Sequence, residues 1–273
     1  MSESTKIAII GTGNIGISIV QGLLSSNAYP AKNIIVTRRK LHMIEDLALK
    51  GVVACSDNLK AVEQSDMIIV AVKPHQAAEV FREINTALQP HRHIIISVVT
   101  GVSIDEIASI TGNKVPVFLA MPNTAIALGE SMTCIGHKGQ SPEDEKKVVD
   151  LFNHLGRSLV IPEDLMSAAT VLAACGIAFA LRFLRSISQG GIEIGFGSEL
   201  STIIAAQTLK GASRLILEGG QHPEREIDKV TTPLGITISG LNEMEHNGFS
   251  SALIKGLLTS YRKIEKLKKR DVN

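Results

Sequence analysis

Over roughly the first 160 residues, short apolar runs recur between polar stretches, and this rhythm predicts strands alternating with helices. The run Ile7 to Ile10 meets Gly11-Thr12-Gly13-Asn14-Ile15-Gly16, which opens a segment of helical periodicity, and Ile34 to Val36 is a second β-branched run. Next come a helical His42 to Leu49, a short strand Val52 to Ala54, a short helix Leu59 to Gln64 and a buried strand Met67 to Val72. A helix over Gln76 to Leu88, closed by Pro90, a strand over Ile94 to Val99, a helix from an Ser103 cap through Ile110 and a strand over Val115 to Leu119 follow. Strands alternating with helices require a parallel sheet covered on both faces, so a doubly wound α/β domain is expected.

After Ser141 the pattern changes. Ser141-Pro142-Glu143-Asp144 starts a helix with proline at its first position and acids in its first turn, and Leu159 to Ile161 reads as a last strand. From there only helices are expected: Leu165 to Leu184, apolar nearly all round, Leu200 to Leu217, Pro223 to Val230, Pro233 to Glu245 and Phe249 to Leu267. Two domains follow, an N-terminal one over 1–162 and an all-helical one over 163–273.

The glycine-rich stretch gives the first domain its chemistry. A strand, G-x-G-x-x-G and a helix, at this spacing, form a dinucleotide-binding (Rossmann) unit. Gly11 permits the tight turn, Gly13 lets a pyrophosphate approach the backbone, and Gly16 lets the helix pack closely; Asn14 and Ile15 present N–H groups at the positive helix end. The second strand runs into Thr37-Arg38-Arg39 where an NAD site carries an acid. A hydroxyl and two guanidinium groups suit a 2′-phosphate, so NADPH is expected in preference to NADH; the alternative is that Arg38, Arg39 and Lys40 only begin a solvated helix. Two further loops, Ala71-Val72-Lys73-Pro74 and Met121-Pro122-Asn123-Thr124, lie where such a sheet holds its ligand, although their prolines could equally serve to stop strands.

Composition removes other classes. A net charge of +1 gives no field for nucleic acid, aromatics are only 3%, and the basic tail (Arg262, Lys263, Lys266, Lys268, Lys269, Arg270) reads as a solvated helix end. Cys55, Cys134 and Cys175 are far apart and odd in number, which fits reduced thiols in a cytoplasmic protein; no secretory signal is expected, because the first apolar run is a short strand broken by glycines. None of the eight histidines has metal-ligand spacing, and no G-x-S-x-G is present, so neither a metal site nor an acyl-transfer nucleophile is expected. The apolar run Leu165 to Leu181 carries Ser167, Thr170 and Gly176, and reads as a buried helix rather than a membrane span. A helix so apolar in a small domain needs a cover, and a second copy of the chain is the expected one, giving an obligate homodimer.

In the second half, Val230-Thr231-Thr232-Pro233-Leu234-Gly235-Ile236-Thr237 places hydroxyls and unpaired N–H groups at one helix start. That is a cradle for a carboxylate, or an ordinary helix capped by Thr231 or Thr232.

Taken together, the I-G-x-G-N-I-G start, Asp57-Asn58, Ala71-Val72-Lys73-Pro74, the S-V-V-T-G-V segment from Ser97 to Val102, Met121-Pro122-Asn123-Thr124, Gln221-His222-Pro223 and the region Thr232 to Glu245 resemble pyrroline-5-carboxylate reductase over essentially the whole length. The resemblance implies reduction of 1-pyrroline-5-carboxylate to L-proline, the last step of proline biosynthesis, by hydride transfer from NADPH to the C=N carbon. It implies a substrate carboxylate held by Thr232 and the backbone of Gly235, Ile236 and Thr237, with the Thr237 hydroxyl near the ring nitrogen as the catalytic group. It also implies cofactor contacts from Gly11, Gly13, Asn14, Ile15, Gly16, Thr37, Arg38, Arg39, Asn58, Ala71, Val72, Lys73, Pro74, Met121 and Asn123. Assembly above the dimer stays open.

The chain departs from the family pattern twice. The usual Ser-Pro-Gly-Gly-x-Thr is Thr232-Pro233-Leu234-Gly235-Ile236-Thr237, and the usual small-residue run is Ala173-Ala174-Cys175-Gly176-Ile177-Ala178-Phe179. Two rivals follow: a non-catalytic NADP-binding regulatory homologue, and a reductase of a related imine or a β-hydroxyacid, although Ala173 to Leu184 lacks the lysine that β-hydroxyacid enzymes need.

Overall fold

Alternation along each strand builds both faces of one sheet in the computed structural model, which describes residues 5–270. The strands are β1 (Ile7–Ile10), β2 (Ile34–Thr37), β3 (Val53–Cys55), β4 (Met67–Val70), β5 (Ile94–Ser97), β6 (Val117–Met121), β7 (Ser131–His137) and β8 (Gly156–Val160), in the spatial order β3-β2-β1-β4-β5-β6-β7-β8. Ile7, Ile9, Val36, Ile69, Ile96 and Phe118 face one side, where they meet α1 (Asn14–Ser26) and α6 (Pro142–Asn153). Ile10, Ile68, Val70, Ile95 and Leu119 face the other, against α4 (Pro74–Ile84) and α5 (Ile104–Thr111). Each large side chain so buried contributes about 1.5–3 kcal/mol, which makes the alternation itself the main source of stability.

The six-strand part β3 to β6 is parallel throughout and reverses its order between β1 and β4, as the expected doubly wound domain requires. Strand β7, which the sequence pattern did not reveal, departs from the parallel arrangement: it pairs antiparallel with β6 while β8 runs parallel to β7. No helix crosses back between β6 and β7; only a 3₁₀ turn, Thr124–Leu128, intervenes, and so short a link can join antiparallel neighbours alone. Its sequence, SMTCIGH, mixes hydroxyls, a thiol and a glycine, which hides the strand from a hydropathy reading.

Helix ends follow their caps. Ser103 and Glu106 form a reciprocal capping box, with Ser103 N–H donating to Glu106 Oε2 at 2.6 Å, and Ser141 Oγ accepts from Asp144 N–H at 3.1 Å. The helix expected over Gln76 to Leu88 instead begins at Pro74 and ends at Ile84. Beyond it Thr86 donates to the Glu83 carbonyl and Asn85 to the Ile110 carbonyl, contacts that compete with continued helix. The short elements α2 (Glu45–Leu49) and α3 (Asn58–Glu63) complete this part, the first preceded by a 3₁₀ turn where one helix from His42 was expected.

The long apolar helix is likewise subdivided. A 3₁₀ turn at Glu163–Leu165 leads to α7 (Met166–Ala169), then to a π-helical segment, Thr170–Cys175, and then to α8 (Gly176–Glu193). By length and composition alone, Glu163–Glu193 could cross a membrane. Contacts divide the chain into two units, Met1–Cys175 with Ser260–Asn273, and Gly176–Thr259, so the division expected after residue 162 falls earlier than this one.

In the second unit α8 packs on α9 (Ser198–Gly219) through small residues. Ser201 Oγ donates to the Ser188 carbonyl at 2.7 Å, and a Cβ on Gly191 would meet Ser201 Oγ at 2.0 Å, so the helices touch backbone to side chain. The unit continues with α10 (Pro223–Val230), α11 (Ile236–His246) and the first half of α12 (Phe249–Arg270). Among its described residues only Ser188, Ser201 and Ala205 are buried, whereas Leu200, Ile203, Leu215, Leu217 and Ile254 are exposed. Of the basic tail, the side chains of Lys268, Lys269 and Arg270 lie outside the described residues.

His93 is buried at the edge of β5, its Nδ1 accepting from Gln89 N–H at 3.0 Å. Burial, reinforced by Arg92, pushes its pKa below the ordinary value of 6.5, against smaller upward pulls from Asp66 and the Ser65 carbonyl. The fold therefore holds a neutral imidazole that the unfolded chain protonates first. Its contribution to stability is complete above about pH 6.5 and is lost as the pH falls toward the depressed pKa. Urea unfolding at pH 7.5 and 5.5 is expected to show a larger loss in the wild type than in His93→Gln; equal losses would exclude this source of pH dependence.

Candidate functional site

The glycine turn after β1 is set by two close approaches. Gly11 has φ +91°, and a Cβ there would sit 2.7 Å from Val72 Cγ1 and 2.9 Å from the Ala71 carbonyl oxygen. A Cβ on Gly16 would lie 2.2 Å from the Gly11 carbonyl oxygen, so no larger residue lets α1 begin this near the strand. Gly13 differs: no atom comes within 4 Å of its ideal Cβ, and it is exposed. The structure thus separates two glycines that the fold needs from one that leaves room for a ligand.

Gly13 is also the N-cap of α1, with no side-chain cap and no acid in the first turn. The N–H groups of Asn14 and Ile15 are left with the positive end of the helix dipole and without a carboxylate to neutralise it. Across the switch in strand order, α4 starts the same way. Lys73 is its N-cap, again without side-chain capping or an acidic first turn, and Pro74 occupies the first helical position, where its missing N–H costs nothing. Two uncapped helix starts on neighbouring strands suit a pyrophosphate.

Beside the turn, β2 supplies the arginines. Arg38 Nη1 donates to the Thr12 carbonyl at 2.6 Å, Thr12 Oγ1 donates to the Thr37 carbonyl at 3.2 Å, and Gly11 N–H donates to Thr37 Oγ1 at 3.4 Å. Thr37 is buried and stitches the turn to β2, Arg38 is half-buried, and Arg39 is exposed. Thr12 is the residue that sequence reasoning missed: it fills a variable place in the fingerprint, and only its two hydrogen bonds reveal that it orients Arg38.

The remaining residues of this group are more dispersed in function. Asn58 opens α3 and donates from Nδ2 to Glu83 Oε2 at 2.9 Å, while the cap of α3 is Asp57. Ala71 N–H donates to the Ile10 carbonyl at 2.8 Å, holding the Val72-Lys73-Pro74 loop beside the glycine turn. Met121, at the end of β6, is buried and borders a cavity of about 30 Å³ together with Gly101, Ser167, Thr170 and Ile264. Asn123 accepts from Ala125 N–H at 3.0 Å and donates to the Ala173 carbonyl in the π-helical segment at 3.2 Å. Its amide braces the loop after β6 against the small-residue run.

In the helical unit, the helix expected from Pro233 starts at Ile236. The cause is a tight turn in which Gly235 N–H donates to the Thr232 carbonyl at 2.8 Å, with Pro233 and Leu234 between them. Neither threonine caps α11. Thr231 ends α10 and donates to the Asp228 carbonyl, and the N-cap is Gly235, which has no side-chain cap and no acid in the following turn. The N–H groups at Ile236 and Thr237 are therefore open, and the Thr232 and Thr237 side chains are exposed. A Cβ on Gly235 would come within 2.6 Å of Thr232 Oγ1, which fixes glycine there. Both this helix start and the glycine turn after β1 thus present open N–H groups without a neighbouring side-chain cap.

Comparison with known proteins matches two stretches of the chain to family profiles. Residues 163–267 match a family profile described as pyrroline-5-carboxylate reductase dimerisation, and residues 6–101 match one described as NADP oxidoreductase coenzyme F420-dependent. The chain is 45% identical over 273 residues to pyrroline-5-carboxylate reductase 1 of Dictyostelium discoideum, covering 96% of this chain but 49% of that protein, so it spans about half the length of that relative. It is 42% identical over 282 residues to pyrroline-5-carboxylate reductase 2 of the same organism, covering 97% of this chain and 94% of the other. The crystal structure of Plasmodium falciparum pyrroline carboxylate reductase with NADP bound superposes with a TM-score of 0.87 at 26% identity, covering 98% and 100% of the two chains.

Substituting Gly16→Ala drives a methyl into the Gly11 carbonyl. It is expected to destabilise the fold by about 1–3 kcal/mol and to weaken dinucleotide binding at least roughly tenfold, read by thermal unfolding and fluorescence titration. An unchanged affinity would show that the turn tolerates a wider helix approach than its geometry implies.

Proposed function

The chain belongs to the pyrroline-5-carboxylate reductase family, and from that premise we propose that it reduces 1-pyrroline-5-carboxylate to L-proline with NADPH, as a cytoplasmic homodimer. The observation that carries this reading is the pair of open helix starts, one at a glycine turn with free space beside Gly13 and one at a threonine-flanked turn.

When bound, the reduced nicotinamide supplies a hydride to the C=N carbon of the substrate. The chain's own part is binding and orientation. The N–H groups of Asn14 and Ile15 and the uncapped start of α4 hold the pyrophosphate, and Arg38 and Arg39 hold the 2′-phosphate. Arg38 reaches that position through its bond to Thr12, and no carboxylate ends β2 to repel the phosphate. The substrate carboxylate binds the N–H groups of Ile236 and Thr237 with the Thr232 hydroxyl, and the Thr237 hydroxyl holds the ring nitrogen. A protonated C=N is already electrophilic, so placement does most of the catalytic work and no strong general acid is needed at this turn.

The second unit supports the dimer. A helical unit whose buried residues are two serines and an alanine has no core of its own, and its exposed leucines and isoleucines need a cover that a second copy supplies by symmetry. Three free cysteines fit a reducing compartment.

NADPH absorbance at 340 nm is expected to fall on addition of pyrroline-5-carboxylate; binding of NADPH without oxidation would favour the regulatory homologue. In the same assay Thr237→Ala should lose roughly tenfold in turnover, the worth of one oriented hydrogen bond of about 1.4 kcal/mol in the transition state. Arg38→Ala is expected to cost NADPH roughly tenfold or more in affinity, on the scale of a charge-assisted bond, while leaving NADH nearly unaffected. Equal losses for the two cofactors would remove Arg38 from 2′-phosphate recognition.

A further inference from the structure

One buried hydroxyl of the first unit is left unpaired by the fold. Ser167, in α7, is 3% exposed, and its Oγ meets no hydrogen-bond partner among the described residues. A serine inside a helix can turn its hydroxyl back onto the carbonyl four residues earlier. Thr170, three residues further along the same helix, does so, donating to the Met166 carbonyl at 2.8 Å. The Glu163 carbonyl receives no such bond from Ser167. A buried hydroxyl left without a partner costs a fold more than no hydroxyl at all, so the partner to look for lies outside the protein chain.

The surroundings narrow that partner to one kind of molecule. Ser167 and Thr170 both line the cavity of about 30 Å³ beside Met121. A water molecule needs at least roughly 10–15 Å³, so this space admits one and is too small for an organic ligand. Leu119, Met121, Met166 and Ile264, all buried, form much of the remaining wall and offer an ion nothing in exchange for its hydration shell. Glu163, the charged residue of the lining, is already engaged by Ile104 N–H at 2.8 Å and by Lys138 Nζ at 3.2 Å. The Thr170 hydroxyl proton is committed to the Met166 carbonyl, so that oxygen is left to accept, whereas Ser167 Oγ can donate or accept. We infer that this cavity is a hydration site, in which one ordered water bridges Ser167 Oγ and Thr170 Oγ1. Gly101, also in the lining, follows β5, and Met121 ends β6. The water therefore lies at the same end of the parallel sheet as the glycine turn after β1, and joins the start of the long helix to it.

A high-resolution crystal structure of the full chain, together with urea unfolding of one variant, tests it. The crystal structure is expected to show a single density peak within hydrogen-bonding distance of both hydroxyls. Ser167→Ala is expected to lower the folding equilibrium constant roughly fivefold at fixed protein concentration, because the water loses a partner. Alanine also favours a helix more than serine does, and Ser109→Ala, on the exposed side of α5, measures that gain so that it can be subtracted. A dry cavity predicts the opposite sign, since the same change then removes an unpaired hydroxyl from the interior. An absent peak overturns the inference, as does a corrected stability of Ser167→Ala equal to or above that of the wild type. So does a Ser167 hydroxyl found on the Glu163 carbonyl instead of on a water.

Discussion

How near α1 can start to the end of β1 decides the rest of the first unit. The clearance is one missing methyl: Gly16 sits where a Cβ would lie 2.2 Å from the Gly11 carbonyl oxygen. That approach aims the helix start across the end of the sheet, and further along the same helix Gly22 lies as close to the Ile126 carbonyl, where a Cβ would again be at 2.2 Å. One helix is thus pressed at two places against backbone, by the glycine turn before it and by the 3₁₀ turn that leads into β7. The same tightness leaves no freedom in the positions of Thr12 and Thr37, and through them Arg38 is oriented. The direction in which the Arg38 guanidinium points is a consequence of packing in the glycine turn.

Much of this was legible in the chain itself. The G-x-G-x-x-G turn and the strands from Ile7 to Leu119 are local patterns, each fixed by residues adjacent in sequence, and the structure has them in place. Strand β7 was not legible, because its pattern contains no continuous apolar run and its direction follows from a short link rather than from its own residues. Thr12 escaped for a similar reason, since its role depends on partners 25 and 26 residues away. The start of α11 was misplaced because proline reads equally as a first helical residue and as the second residue of a tight turn, and the choice lies with the Gly235 to Thr232 hydrogen bond.

The π-helical segment, Thr170–Cys175, shows how local irregularity serves a distant loop. Widening the helix there accompanies a carbonyl, that of Ala173, that takes a bond from Asn123 in the loop after β6. Such widenings cluster at functional sites because they free backbone groups without ending a helix. Here the group is used to hold the loop that ends the parallel part of the sheet.

Chain order adds a temporal constraint. Residues Ser260–Asn273 belong to the unit that begins at the first strand, so its packing includes Ile264, which emerges from the ribosome long after β1 to β8. A nascent chain can pair its strands early but completes the first unit only once the residues from Ser260 have been made, and meanwhile the intervening helices carry their apolar side chains uncovered. The interval between translation of Gly176 and encounter with a cover is the period of greatest exposure to aggregation. With the homodimer proposed above, that interval would shorten as the local concentration of sister chains rises, so assembly on a shared polysome would favour this architecture more than dilution into bulk solvent.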